Sequence, residues 1–137
     1  MENEMQKSIS SKKIKKTSTQ KVGVILCHGF LSKHEQMVPL SDFVFENFGW
    51  ETHLVELSGH GYDSDNITKV TWNDWVDDVK NKYEKVSKEC DKIYFIGFSL
   101  GGCVGAYVST LKNVRFSGIC LLYTSDAATR YRVEFAV

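Results

Sequence analysis

The 137 residues carry seventeen basic and seventeen acidic side chains and are 42% hydrophobic, the size and composition of one globular domain able to bury a core. The zero formal net charge leaves no basic surplus for nucleic acid, and no apolar run approaches the roughly 20 residues of a membrane-spanning helix. The four cysteines, Cys27, Cys90, Cys103 and Cys120, fall at wide spacings without a CxxC pair. That pattern argues against a zinc site or a disulfide framework and reads as small buried hydrophobes of a reducing compartment, with no cofactor and no metal expected.

Residues 1–21 hold six of the lysines and two of the glutamates, so the remainder is mildly acidic, with eleven positive against fifteen negative charges. Residues 1–20 are expected to be a disordered basic leader, because no aromatic residue is interleaved with the lysines and no signal-peptide h-region stands behind them. A cytoplasmic location is the corresponding expectation. Val22 to Cys27 is a near-continuous apolar run, the pattern of a strand covered on both faces, and it ends at His28-Gly29-Phe30. Gly29 permits a tight turn there. A helix is predicted from Pro39, with Leu40, Phe43, Val44 and Phe48 on one face, ending at Asn47-Phe48-Gly49.

Trp50 to Leu57 reads as a second strand, followed by the Gly-rich turn Ser58-Gly59-His60-Gly61 and an exposed polar loop over residues 62–69. In that loop Asp63 and Asp65 lack the glycine and glutamate spacing of a calcium loop. His28 and His60 are read as residues that brace their loops. The longest helix is expected from Trp72 to Lys88, with Trp72, Trp75, Val76, Val79, Tyr83 and Val86 forming a core-facing stripe and Thr71 and Asp74 a capping box. A third strand begins at Ile93, a helix runs on through Leu111, and a fourth strand spans Val114 to about Ile119. The alternation of strands and helices predicts an α/β fold: a parallel sheet of about four strands in the order 2-1-3-4, with helices on both faces.

The stretch with most chemical content is Gly97-Phe98-Ser99-Leu100-Gly101-Gly102, a GxSxG pattern where the third strand turns into a helix. A serine at such a corner needs neighbours without bulk, which Gly97 and Gly101 provide. The turn also exposes the first N–H groups of the helix, so Leu100 N–H can donate to an oxyanion, and Phe30 N–H on the neighbouring loop supplies a second donor. With the switch in strand order between strands one and three, both loops fall at the same crevice.

HGF at 28–30, LSGHG at 57–61, the Trp72/Trp75 helix and GFSLGG at 97–102 together resemble the α/β-hydrolase superfamily, in particular its serine esterases, monoacylglycerol lipases and serine aminopeptidase-like members. The resemblance covers about residues 21–119 and implies Ser99 as nucleophile, Phe30 and Leu100 as backbone oxyanion donors, and a small acyl ester as substrate. His28, Gly29, Gly97, Gly101 and Gly102 take structural places at that site. Many members have proline where this chain has Ser58. The family also requires an acid and then a histidine beyond the fourth strand, yet no histidine follows His60. Residues 21–119 are therefore expected to be the amino-terminal part of a hydrolase domain, inactive alone because a serine hydroxyl without a base is a poor nucleophile. The alternative is a non-catalytic module that keeps the elbow and binds a small ligand or partner.

Cys120 to Ala128, CLLYTSDAA, is similar to the translation of a common sequencing-library adapter, which makes 120–137 a non-native tail. In the competing reading CLLY completes the fourth strand and TSDAATR is its loop.

Overall fold

The computed structural model describes residues 20–125 and 130–136, with side chains described up to Tyr123. Five strands form one sheet in the order β2-β1-β3-β4-β5. They are β1 (Val22–Cys27), β2 (Glu51–Val55), β3 (Lys92–Phe98), β4 (Gly118–Ser125) and β5 (Arg130–Ala136). The first four pair in parallel, and β5 adds an antiparallel edge beside β4. Three α-helices connect them: α1 (Val38–Phe48), α2 (Trp72–Val86) and α3 (Leu100–Val108). The α/β class and the 2-1-3-4 order agree with the sequence pattern, and the fifth strand is an addition to it.

Alternation along β1 divides the core into two layers. Ile25 and Cys27 point into a cluster with Val76, Val79 and Val86 of α2 and Val104 and Val108 of α3. Val24 and Leu26 point the other way, toward Met37 and Val44, with Leu40 and Leu54 at the edge. The apolar run of β1 is thus explained by burial on both faces. Phe95 is fully buried, and its ring occupies the space a side chain at position 105 would need, so Gly105 lets α3 lie close on β3.

Several boundaries differ from those read off the sequence. α1 starts one residue before Pro39 and is preceded by a 3-10 turn, His34–Met37; Gly49 then closes it in the left-handed conformation (φ 64°). Residues 61–69 are two 3-10 turns meeting at a kink at Asp63 rather than an irregular loop. Trp75 packs against the core, but Trp72 is partly exposed at the first turn of α2 and lies edge-on to Tyr107. The fourth strand begins at Gly118, not Val114. Val114 is instead a buried anchor of the crossover, and Ile96, Gly97 and Phe98 pair with Cys120, Leu121 and Leu122. No helix among the described residues is long and apolar enough to cross a membrane.

Candidate active site

β1 and β3 are adjacent and parallel, with Cys27 opposite Gly97, so the segments leaving their carboxyl ends start side by side. From β3 the chain turns through Ser99 directly into α3. Ser99 has φ 50° and ψ −115°, a conformation side chains rarely adopt, and it is exposed. Its N–H donates to the Leu122 carbonyl at 2.8 Å, and its carbonyl accepts from Cys103 N–H at 3.1 Å, so the strained residue is held on both sides.

The GxSxG spacing follows from contact distances. A Cβ on Gly97 would lie 2.5 Å from Gly102 N and 2.6 Å from the Gly101 carbonyl carbon, which closes the corner to anything larger than glycine. A Cβ on Gly101 would strike the carbonyl oxygens of Cys27 and His28. Gly102 is tight against Gly97 and the Leu121 side chain. Gly101 thus presses the start of α3 against the root of the 28–30 loop, and Leu100, as the first helical residue, has an N–H with no intrahelical partner.

The facing loop is equally constrained. Leu31 has φ 56°, and Leu31 and Ser99 are the only non-glycine residues with positive φ among the described residues. Ser99 directly follows β3, and Leu31 lies in the loop that leaves β1. Gly29 N–H donates to Gln36 Oε1 at 3.1 Å, and a Cβ on Gly29 would come within 3.0 Å of the Phe98 ring. The Phe30 ring is half exposed and packs edge-on against His60 and Trp75.

His28 is fully buried and both ring nitrogens are engaged. Nε2 accepts the Leu57 N–H at 3.0 Å, which places the proton on Nδ1, where it is donated to the Gly29 carbonyl at 2.8 Å. Burial pushes its pKa below the usual histidine range, so the ring is neutral although Glu56 Oε1 lies 3.7 Å from Nε2. In this state it ties the 28–30 loop to the end of β2 and has no lone pair free for proton transfer. His60 is also buried, with Nδ1 3.1 Å from the Ser58 carbonyl and its ring against His28 and Trp75. Burial raises the Cys27 thiol far above its usual pKa, which removes it as a nucleophile beside this turn.

Four residues that hold these loops were not singled out for that role by the sequence. Asp78 Oδ2 accepts the Ser58 N–H at 2.6 Å and Trp75 Nε1 donates to the Ser58 carbonyl at 2.9 Å, so α2 clamps the 57–61 turn. Gln36 braces Gly29, and Glu56 accepts the backbone N–H of His34 at 3.0 Å as well as pairing with its ring. Side-chain-to-backbone bonds over such separations leave no local pattern; only the Trp75 stripe carried a signal. A hollow of about 360 Å³ lined by Leu31, Ser32, Lys33, Gly59, His60, Gly61 and Ser64 lies beside these loops, and Ser99 and Leu100 are not in its wall.

A family model of the alpha/beta hydrolase fold matches residues 23–136. The chain is 33% identical over 88 residues to a thermostable monoacylglycerol lipase of Bacillus sp. (strain H-257), an alignment covering 64% of this chain and 35% of that lipase. It superposes with a TM-score of 0.67 and 26% identity on a solved structure from work on LipS and LipT, two metagenome-derived lipolytic enzymes, covering 74% of this chain and 41% of the other. The chain thus spans about a third to two fifths of the length of these relatives.

Proposed function

Because this chain belongs to the alpha/beta hydrolase family, we propose that it is the nucleophile-bearing, amino-terminal part of a serine hydrolase that cleaves small carboxylic esters, with a monoacylglycerol or similar acyl ester as substrate. The observation that carries the proposal is the backbone of Ser99: a non-glycine residue held at φ 50° between two glycines that tolerate no side chain. Strain of this kind persists only where the surroundings enforce it, and here it presents a hydroxyl at the rim of the sheet.

In the proposed reaction Ser99 Oγ attacks the ester carbonyl, and the proton it loses passes to a histidine oriented by an acid. The carbonyl oxygen takes up negative charge and is held by the N–H groups of Phe30 and Leu100, while the alcohol leaves with the transferred proton. Water then attacks the acyl-serine and releases the carboxylic acid. His28 has both nitrogens occupied, and His60 is buried against His28 and Trp75 and precedes Ser99 in the chain, whereas the family's base follows the serine and the acid, so neither is the base in this reading. The acid and histidine belong to sequence outside these residues.

The test is ester turnover. A gene product continuing past the fourth strand should hydrolyse p-nitrophenyl esters of short acids and lose at least about a thousandfold in kcat on Ser99→Ala. The 137-residue chain alone should show no turnover above its own Ser99→Ala variant. Robust Ser99-independent hydrolysis by the longer product would remove Ser99 from the role.

A further inference from the structure

At the opposite end of the strands from Ser99, three residues with metal-binding side chains meet. Glu51 and His53 are two apart on β2 and so share a face, the one that also carries the buried Val55. Cys90 comes from the turn between α2 and β3. A carboxylate oxygen of Glu51, a ring nitrogen of His53 and Sγ of Cys90 all lie within 4.8 Å of one another. The space for Cys90 is made by Gly23, the β1 partner of Glu51, where a Cβ would come within 2.8 Å of Sγ.

We propose that Glu51, His53 and Cys90 bind a divalent transition-metal ion of the zinc class, which would staple β2 to the approach of β3. The donor set is the first reason: one thiolate, one imidazole and one carboxylate suit a borderline-soft ion and leave a fourth position for water. An independent reason is His53 Nε2, which is buried and has no hydrogen-bond partner among the described residues, an arrangement that disfavours leaving the ring as it stands. Tetrahedral coordination needs donor atoms about 3.3–3.8 Å apart; Cys90 Sγ already lies 3.8 Å from Glu51 Oε2, and no pair in the set is more than 4.8 Å apart, a difference the terminal torsions of Glu51 and Cys90 can supply.

Charge also permits it. Lys21 Nζ is 3.0 Å from Glu51 Oε2, so the carboxylate already holds a cation through one oxygen; Glu51 and Glu89 act on His53 and Cys90 in favour of a cation, against Lys82 and Lys21 beside His53. Burial keeps the His53 ring neutral and the Cys90 thiol protonated, so binding an ion would release one proton from Cys90. A second grouping, His34 with Glu35 and Glu56, offers similar atoms but is more exposed, and its imidazole is already held by Glu56. The cysteine spacing gave no sign of the Cys90 site, because its ligands come from segments 37 residues apart.

Chelator-treated protein titrated with Co²⁺ provides the test. The expected result is one ion per chain with a near-ultraviolet thiolate-to-cobalt band. That band should vanish in Cys90→Ser, persist in Cys103→Ser, and appear only at concentrations about tenfold higher or more in His53→Ala and Glu51→Gln. Lys21→Ala, which removes the competing cation, should tighten binding. Circular dichroism of each variant separates lost ligation from lost folding, and Glu51→Gln, which keeps the side-chain shape, covers the case in which Cys90→Ser does not fold. Absence of the band at millimolar Co²⁺, its survival in Cys90→Ser, or an unchanged affinity in Glu51→Gln overturns the proposal.

Discussion

On one face of the sheet Ile25, Cys27 and Phe95 are fully buried beneath α2 and α3; on the other Val24 and Leu26 are equally buried beneath Met37 and α1, but Phe43 and Phe48 of α1 remain about half exposed. Beside α1 an open apolar groove of about 560 Å³ runs past Trp50, Tyr94 and Ile119. Both faces are made by alternate residues of the same strands, so the difference lies in what packs on them. The closed face also does much of the positioning at the rim: Trp75 and Asp78 of α2 hold the 57–61 turn, and Gly101 of α3 seats the turn at Ser99 against the root of the 28–30 loop. The closed layer therefore carries the larger core and most of the bracing of the rim, while the other face adds a smaller buried cluster of Val24, Leu26, Met37 and Val44 and the Gln36 bond to Gly29.

Truncating one phenylalanine on each face breaks or sharpens this contrast most strongly. Phe95→Ala should destabilise by about 3–5 kcal/mol, because it empties a fully enclosed site between β3, α3 and Phe116, whereas Phe43→Ala should stay within about 1 kcal/mol. Urea denaturation of the two variants measures the difference. Equal losses would mean that the open face is as well packed as the closed one.

A smaller effect of opposite sign is expected at the rim. Ser99 occupies backbone space that glycine enters without a Cβ penalty, so Ser99→Gly should raise stability by about 1 kcal/mol while removing the hydroxyl. A destabilised Ser99→Gly variant would show that the corner is relaxed, and the geometric argument for its chemistry would lapse.

The pH dependence of stability is expected to be weaker still. Burial, aided by His60 and His34 and opposed by the Gly29 carbonyl and Glu56, lowers the pKa of His28 in the folded chain from its ordinary 6.5. On acidification the unfolded chain takes up this proton first. The contribution of His28 is thus complete above about pH 6.5 and is lost as pH falls through the lower folded-state pKa. His28→Asn should flatten the decline in urea midpoint between about pH 7.5 and 5.5 relative to the wild-type chain, with His53 titrating alike in both. An unchanged slope would mean that His28 is not held neutral.

How much of this was legible in the sequence depended on the range of the interaction. The strand order, the two-sided burial of VGVILC and the strand-to-helix turn at Ser99 were readable because each rests on local pattern: an apolar run, a helical stripe, or glycines at fixed offsets around Ser99. The fourth strand was misplaced because Val114 looks like a strand residue but is buried as a crossover anchor, and pairing begins only at Gly118, opposite Tyr94. Trp72 fitted the stripe by spacing yet lies at the end of the helix, beyond the reach of the sheet. The bracing of the rim by Gln36, Glu56 and Asp78, the positive φ of Leu31, and the meeting of Cys90 with Glu51 and His53 arise from tertiary contacts that no local period encodes.

The central claim is that the strained serine at the rim is an activated nucleophile in the longer gene product. Fluorophosphonate labelling of that product, followed by mass-spectrometric mapping of the modified residue, tests it most directly. The account predicts a single phosphonylated site at Ser99, absent in Ser99→Ala; labelling at another serine that persists in Ser99→Ala would contradict it.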